Sequence, residues 1–457
     1  MNQLSETQLA EARAAILRFR ALKADATPPP SATEGVWQYL QVSEQMFIQL
    51  MNGQEPPDSD LGNIEYGPVL YLANNHLPQW AIDFLRDCGM PPSAITPRDW
   101  QTWAPIVETG PGVVASDGSL ISTTYYAVAD LGWALALVFF LIHIDYQATF
   151  ATTPNTINVS DQDSLSIAIF GDWGTGPWQD GSYSAPATLA GTAITNVGAD
   201  ISIHLGDVYY AGQGWEETDN LLPAFPQGSK GNFTLNSNHE MYDGAFSYFG
   251  RALANSLFGL QKNTSYFAIT FGNWVIIGLD SAFYSSAESM YMEGVVTDPA
   301  QLGFIKGLGI KNNQKVLVLT HHPGITGDGS AVTPLFAQIY TALGNRYPDY
   351  WYYGHIHNGM VYNDQNAVTK NYKTPSGAAP QLRCSGHASI PFGNAYSFAN
   401  NNNLLYYAKT AMPNPDSKQG NRVLNGYAVL TLTPTGIQGE NFYEVAPDGT
   451  VRQAWGA

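Results

Sequence analysis

The sequence predicts an α/β fold over residues 161–457, preceded by a mostly helical region over residues 1–160. Three observations carry this reading. Short β-rich runs at residues 165–170, 200–205, 274–279, 315–320 and 350–353 alternate with helical stretches. The runs are almost continuously apolar, as in strands covered on both faces. Acidic, amide and histidine residues gather just after them, where open α/β sheets place their chemistry.

Each element has a local cause. Ser5 and Gln8 stand at capping-box spacing behind Leu4, and Leu9, Ala12, Ile16 and Phe19 recur with helical period, so a helix covers the first ~25 residues. Pro28-Pro29-Pro30 ends that segment. A second helix spans residues 37–52 and stops at Gly53. Asp117-Gly118, between short apolar stretches, predicts a hairpin turn. Residues 131–144 form the longest apolar run. It falls short of the ~20 residues that cross a bilayer, so it reads as buried core. Polar residues 158–163 make a connector, which sets the boundary near 160.

Composition narrows the function classes. With 38 acidic against 20 basic residues the net charge is −18, which argues against nucleic acid or an anionic membrane as partner. A small-molecule substrate is the expectation, with no stable membrane insertion. Cys88 and Cys384 are too far apart to suggest a disulfide framework and read as two buried thiols of a reducing compartment. The N-terminus lacks the basic start and apolar run of a secretory leader, so the cytoplasm is the default location.

Five short blocks carry the chemistry. They are Gly171-Asp172-Trp173-Gly174, Gly206-Asp207-Val208-Tyr209-Tyr210, Asn238-His239-Glu240, His321-His322-Pro323 and Gly354-His355-Ile356-His357. Singly, each has a bland account: a Gly-Asp after a strand is ordinarily a turn with a capping carboxylate. Together they supply carboxylates, an amide oxygen and several imidazoles at successive strand ends. That is a mixed nitrogen and oxygen ligand set suited to Fe, Mn or Zn.

In order and spacing the blocks resemble those of calcineurin-like metallophosphoesterases, and more narrowly of purple acid phosphatases. The resemblance covers residues 165–360. It implies a four-layer α/β/β/α sandwich holding two metal ions, Fe(3+) with Fe(2+), Zn(2+) or Mn(2+). Asp172, Asp207, Tyr210 and His357 would hold one ion, and Asp207 would bridge to a second held by Asn238, His321 and His355. A hydroxide bridging the two would be the nucleophile. His239 would contact phosphate or protonate the leaving oxygen. The reaction implied is hydrolysis of a phosphomonoester, as in an acid phosphatase. Its alternatives are a phosphodiesterase on the same site, acting on a cyclic nucleotide or phospholipid headgroup, and a non-catalytic scaffold.

Two features depart from the pattern. Ser237 replaces a glycine, which would strain the loop if that position needs a left-handed backbone. Of the adjacent His321 and His322 only the first fits the ligand spacing, leaving His322 as a candidate substrate contact. His387, after a β-like run, is a second such candidate. His76, His143 and His204 read as structural, and Asp280-Ser281 as support for the site.

Overall fold

The computed structural model describes residues 147–457 apart from 161, 180–182, 288–289, 391–397, 399 and 414–421, with a few positions between 113 and 143. The two expected N-terminal helices, His76 and Cys88 lie outside the described residues. Strands β1 (Val113–Val114) and β2 (Leu120–Ile121) pair antiparallel around Asp117-Gly118, as the expected hairpin requires.

The strands that follow are β3 (Thr156–Asn158), β4 (Leu165–Phe170), β5 (Ile201–His204), β6 (Gly231–Thr234), β7 (Phe267–Phe271), β8 (Trp274–Gly278), β9 (Lys315–Thr320) and β10 (Tyr350–Tyr353). β11 (Gly359–Tyr362), β12 (Gln381–Ser385), β13 (Leu404–Tyr407), β14 (Asn425–Leu432), β15 (Ile437–Val445) and β16 (Val451–Gly456) complete them. Helices α1 (Pro186–Val197), α2 (Asn238–Tyr242), α3 (Pro299–Gly307) and α4 (Pro334–Ala342) lie between, with shorter helical turns. The strands form an eight-stranded sheet, β13-β11-β12-β10-β9-β8-β7-β3, and a six-stranded sheet, β16-β15-β14-β4-β5-β6.

Side chains alternate along each strand, so both faces of both sheets need cover. Leu165, Ile167 and Ile169 of β4 meet Phe267, Ile269, Leu317 and Leu319 in the core between the sheets. On the far side, Ala168 and Phe170 pack with Ala187, Ala190 and Ile194 of α1. On the outside of the other sheet, Val316 and Val318 pack with Ile305 of α3 and with Leu335, Phe336 and Ile339 of α4. This is the helix, sheet, sheet, helix order. Pro186, Pro299 and Pro334 start their helices where a missing N–H costs nothing. Arg383 of β12 and Glu440 of β15 join the sheets through a buried two-pronged pair, Nε–Oε1 2.8 Å and Nη2–Oε2 3.1 Å.

Four described residues of the apolar run at 131–144 pack against the domain. Ala136, Phe139, Phe140 and His143 are helical, share one face and are buried. Phe140 meets Tyr242 edge-on at 5.8 Å between ring centroids and Tyr291 at 6.0 Å, while His143 lies 5.5 Å from Phe246. His143 also donates from Nδ1 to Phe139 O at 2.8 Å, which accounts for it as a structural residue. No helix among the described residues is long and apolar enough to cross a membrane.

Because Phe140 fills a fully enclosed site, Phe140→Ala should lower unfolding free energy by about 3–5 kcal/mol. Denaturant titration of the full chain reads this directly, and an unchanged midpoint would mean the run contributes nothing to the domain.

Candidate active site

The candidate residues reach one place because neighbouring parallel strands end together. β4 and β5 adjoin in one sheet and deliver Asp172 and Asp207. β9 and β10 adjoin in the other and deliver His321, His355 and His357. Asn238 opens α2 just after β6. Asp172, Asp207 and His355 turn the chain sharply at positive φ of 56°, 75° and 68°. Gly206 (φ 100°) permits the closest approach, since a Cβ there would lie 2.8 Å from the Cβ of Ser237.

Two clusters result. In the first, His357 Nε2 lies 3.3 Å from Asp172 Oδ1, and the Tyr209 hydroxyl lies 3.3 Å from Asp172 Oδ1, 2.8 Å from Asp207 Oδ2 and 3.1 Å from His357 Nε2. In the second, Asn238 Oδ1 lies 2.9 Å from His321 Nε2 and 3.2 Å from His355 Nδ1, and the two nitrogens are 3.1 Å apart. Asp207 faces both, with Oδ1 3.3 Å from His321 Nε2 and Oδ2 on the Tyr209 hydroxyl.

The donor set fits a pair of cations. His321 donates from Nδ1 to Leu205 O at 2.9 Å, so its neutral ring aims the Nε2 lone pair at the Asn238 oxygen. Burial holds the His321 pKa down to about 4, keeping that lone pair available at neutral pH. At most one proton, on His355 Nδ1, can be shared within this triangle, and a cation resolves the remaining repulsion. Ligand atoms bonded at about 2.0–2.2 Å around one ion sit about 3 Å or slightly more from each other, close to the separations here. Burial pushes the Asp207 carboxyl up, but His321, His239 and the hydrogen bond from Ser237 outweigh it and hold the group ionised well below its usual range.

Residues 165–359 match the family model described as calcineurin-like phosphoesterase. This stretch is a calcineurin-like phosphoesterase domain. No curated protein matches the chain. Among solved structures, GAP50, the anchor in the inner membrane complex of Plasmodium, is 15% identical, covering 64% of this chain and 89% of its own, with a TM-score of 0.39. Wild-type Vps29 of Entamoeba histolytica, solved with Zn2+, is 10% identical, covering 63% of this chain and 97% of its own, with a TM-score of 0.25.

Three expected site residues are placed differently from the sequence reading. The hydroxyl set among Asp172, Asp207 and His357 is that of Tyr209, where sequence spacing pointed to Tyr210. Residue counting cannot choose between two adjacent tyrosines in a loop. His322, expected as a substrate contact, has both ring nitrogens engaged, Nδ1 with Ser281 Oγ at 2.8 Å and Nε2 with Tyr291 O at 2.7 Å. Its ring packs tilted at 47° against that of His355, 4.8 Å between centroids, and steadies it. His387, the other expected contact, is fully buried, wedged where a Cβ on Gly359 or Gly426 would come within 2.5 or 2.6 Å of its ring. Burial pushes its pKa down to about 3.

Ser237 is unstrained. Its backbone is extended (φ −136°), its Oγ accepts from His239 N at 3.0 Å as helix cap, and it donates to Asp207 and Glu240. His239 donates from Nδ1 to Tyr210 O at 2.6 Å, which directs Nε2 toward Asp207 Oδ2, 3.9 Å away. His204 bonds Thr234 Oγ1 at 3.0 Å and is structural as read. Asp280 holds Ala282 N and Phe283 N at 3.0 and 2.9 Å, fixing the turn that presents Ser281 to His322.

Three supporting residues escaped the sequence reading. Glu240 accepts from Val208 N at 3.2 Å, and Glu216 from Ala211 N and Gln213 N, both at 2.9 Å, so two buried glutamates hold the backbone behind Asp207. Burial pushes both carboxyls up to about 8. Their signal was the i to i+3 spacing of Gln213 to Glu216, a capping box, and of Ser237 to Glu240 at the start of the next helical turn. The third is Cys384, whose buried thiol lies 3.3 Å from Ile356 O and Asn358 O beneath the segment bearing His355 and His357.

Since Asp207 faces both clusters, Asp207→Ala should bind fewer than one equivalent of metal per chain and lose almost all hydrolysis while remaining folded. Elemental analysis with circular dichroism checks this; two retained equivalents would remove Asp207 from the bridging position.

Proposed function

We propose that the chain hydrolyses small phosphate esters, monoesters foremost, at a dinuclear metal centre. Asp172, Asp207, Tyr209 and His357 would hold one ion and Asp207, Asn238, His321 and His355 the other. The observation that carries the reading is the Asp207 carboxylate, each oxygen of which faces a separate group of oxygen and nitrogen donors. A phenol with two carboxylates favours a hard ion such as Fe(3+) in the first position, and the imidazole-rich second suits Fe(2+), Zn(2+) or Mn(2+). When bound, two such ions neutralise phosphoryl oxygens and yield a nucleophile from water at mild pH.

The protein's own groups supply orientation and proton transfer. Leu205 O and Asn238 align His321, and Ser237 holds Asp207 on its other side. His239, anchored at Nδ1, presents Nε2 to the site, and a phosphate dianion beside it would favour the imidazolium that donates to a leaving oxygen. His355 alone among these histidines is partly exposed, so substrate reaches the centre past it. A net charge of −18 supports a small substrate over nucleic acid.

His239→Ala should lower kcat by ~10²–10⁴-fold with metal content unchanged, as for a lost proton donor. Loss of an equivalent of metal instead would make His239 a ligand. Loaded with ferric iron, the protein should show a visible phenolate-to-iron band that Tyr209→Phe abolishes and Tyr210→Phe retains. The opposite pattern would return the ligand to Tyr210, and a colourless iron protein would leave neither tyrosine on the metal.

A further inference from the structure

A cavity of about 100 Å³ adjoins the second cluster, with His355 contributing to both. Met292, Pro323 and Leu335 give it apolar walls, and Glu293, which is exposed, also lines it. No lysine or arginine is among the described residues lining it. Thr326, Thr333 and the Gln338 oxygen already have partners. Thr326 Oγ1 donates to Asp328 Oδ1 at 2.7 Å, Thr333 Oγ1 to Pro323 O at 2.8 Å, and Gln338 Oε1 accepts from Val296 N at 2.7 Å.

What enters must therefore be compact. At about 100 Å³ the cavity matches a short alcohol more closely than a nucleoside. It must also tolerate a carboxylate with no cation opposite, in a chain whose net charge is −18. A second phosphate or a carboxylate on the leaving group would meet repulsion from Glu293 there with no lysine or arginine among the described lining residues to offset it. An ammonium would meet attraction.

We propose that this cavity is the leaving-group subsite of the hydrolase, and that it selects a compact amino alcohol over nucleosides and anionic alcohols. This rests on the phosphoester hydrolase reading above. The test compares kcat/KM of the full-length, metal-loaded protein on phosphoethanolamine, glycerol phosphate, 3-phosphoglycerate and adenosine monophosphate. The expected order places phosphoethanolamine first and the last two at least tenfold lower. Glu293→Lys should shrink the phosphoethanolamine to 3-phosphoglycerate ratio about three- to tenfold, and Glu293→Gln by less. Both changes are at an exposed position, and the ratio within one preparation is independent of the fraction folded. Hydrolysis with adenosine monophosphate or 3-phosphoglycerate preferred, or a ratio unmoved by Glu293→Lys, overturns the subsite while leaving the hydrolase intact. Absence of hydrolysis on every monoester and diester, with metal bound, overturns both.

Discussion

The site is organised around the Asp207 carboxylate, which faces both donor clusters. Its oxygens face opposite ways, one 2.8 Å from the Tyr209 hydroxyl and the other 3.3 Å from His321 Nε2. Such a group cannot be allowed to rotate, and the chain spends much buried polarity on preventing it. Ser237 bonds Asp207 from α2, Glu240 takes the Val208 N–H, and Glu216 takes those of Ala211 and Gln213. The loop behind the carboxylate is thus fixed by hydrogen bonds that water does not contest.

The same constraint explains why two sheets are needed. One sheet alone would present ligands in a row, whereas two sheets ending side by side face donors toward one another. The contacts that lock this are short. His321 reaches across to Leu205 O at 2.9 Å, and His355 N donates to Asp172 Oδ2 at 3.2 Å. Glycines permit such proximity: a Cβ on Gly354 would stand 2.9 Å from Asp172 Oδ2.

Support also arrives from outside the catalytic blocks. Phe140, in a region without chemistry of its own, packs against Tyr242 and Tyr291. Tyr291 O holds His322, and the Tyr242 hydroxyl lies 3.4 Å from Asn238 Nδ2. The N-terminal run therefore packs directly behind residues that set the second cluster. Cys384 performs a similar service beneath the segment with His355 and His357. A reading of either as inert core would miss the candidate ligands standing on them.

The α/β class, five of the strands and the blocks bearing Asp172, Asp207, Asn238, His321, His355 and His357 were legible in the sequence, while the two-sheet sandwich and the grouping of those residues came with the family resemblance. The reason is physical. Apolar runs with both faces covered leave their polar residues nowhere to go but the strand ends, and parallel neighbours bring those ends together. The family spacing that the sequence resembles favoured His321 over His322. Tertiary structure decided matters that turn on side-chain direction within an irregular loop. It set Tyr209 rather than Tyr210 on the carboxylates, buried His387 between two glycines and engaged both nitrogens of His322. It made Ser237 a cap where the sequence suggested strain. Periodicity records which face of a strand or helix is buried, but after Asp207 the chain has no period. There only the packing of loop against loop determines where each side chain points.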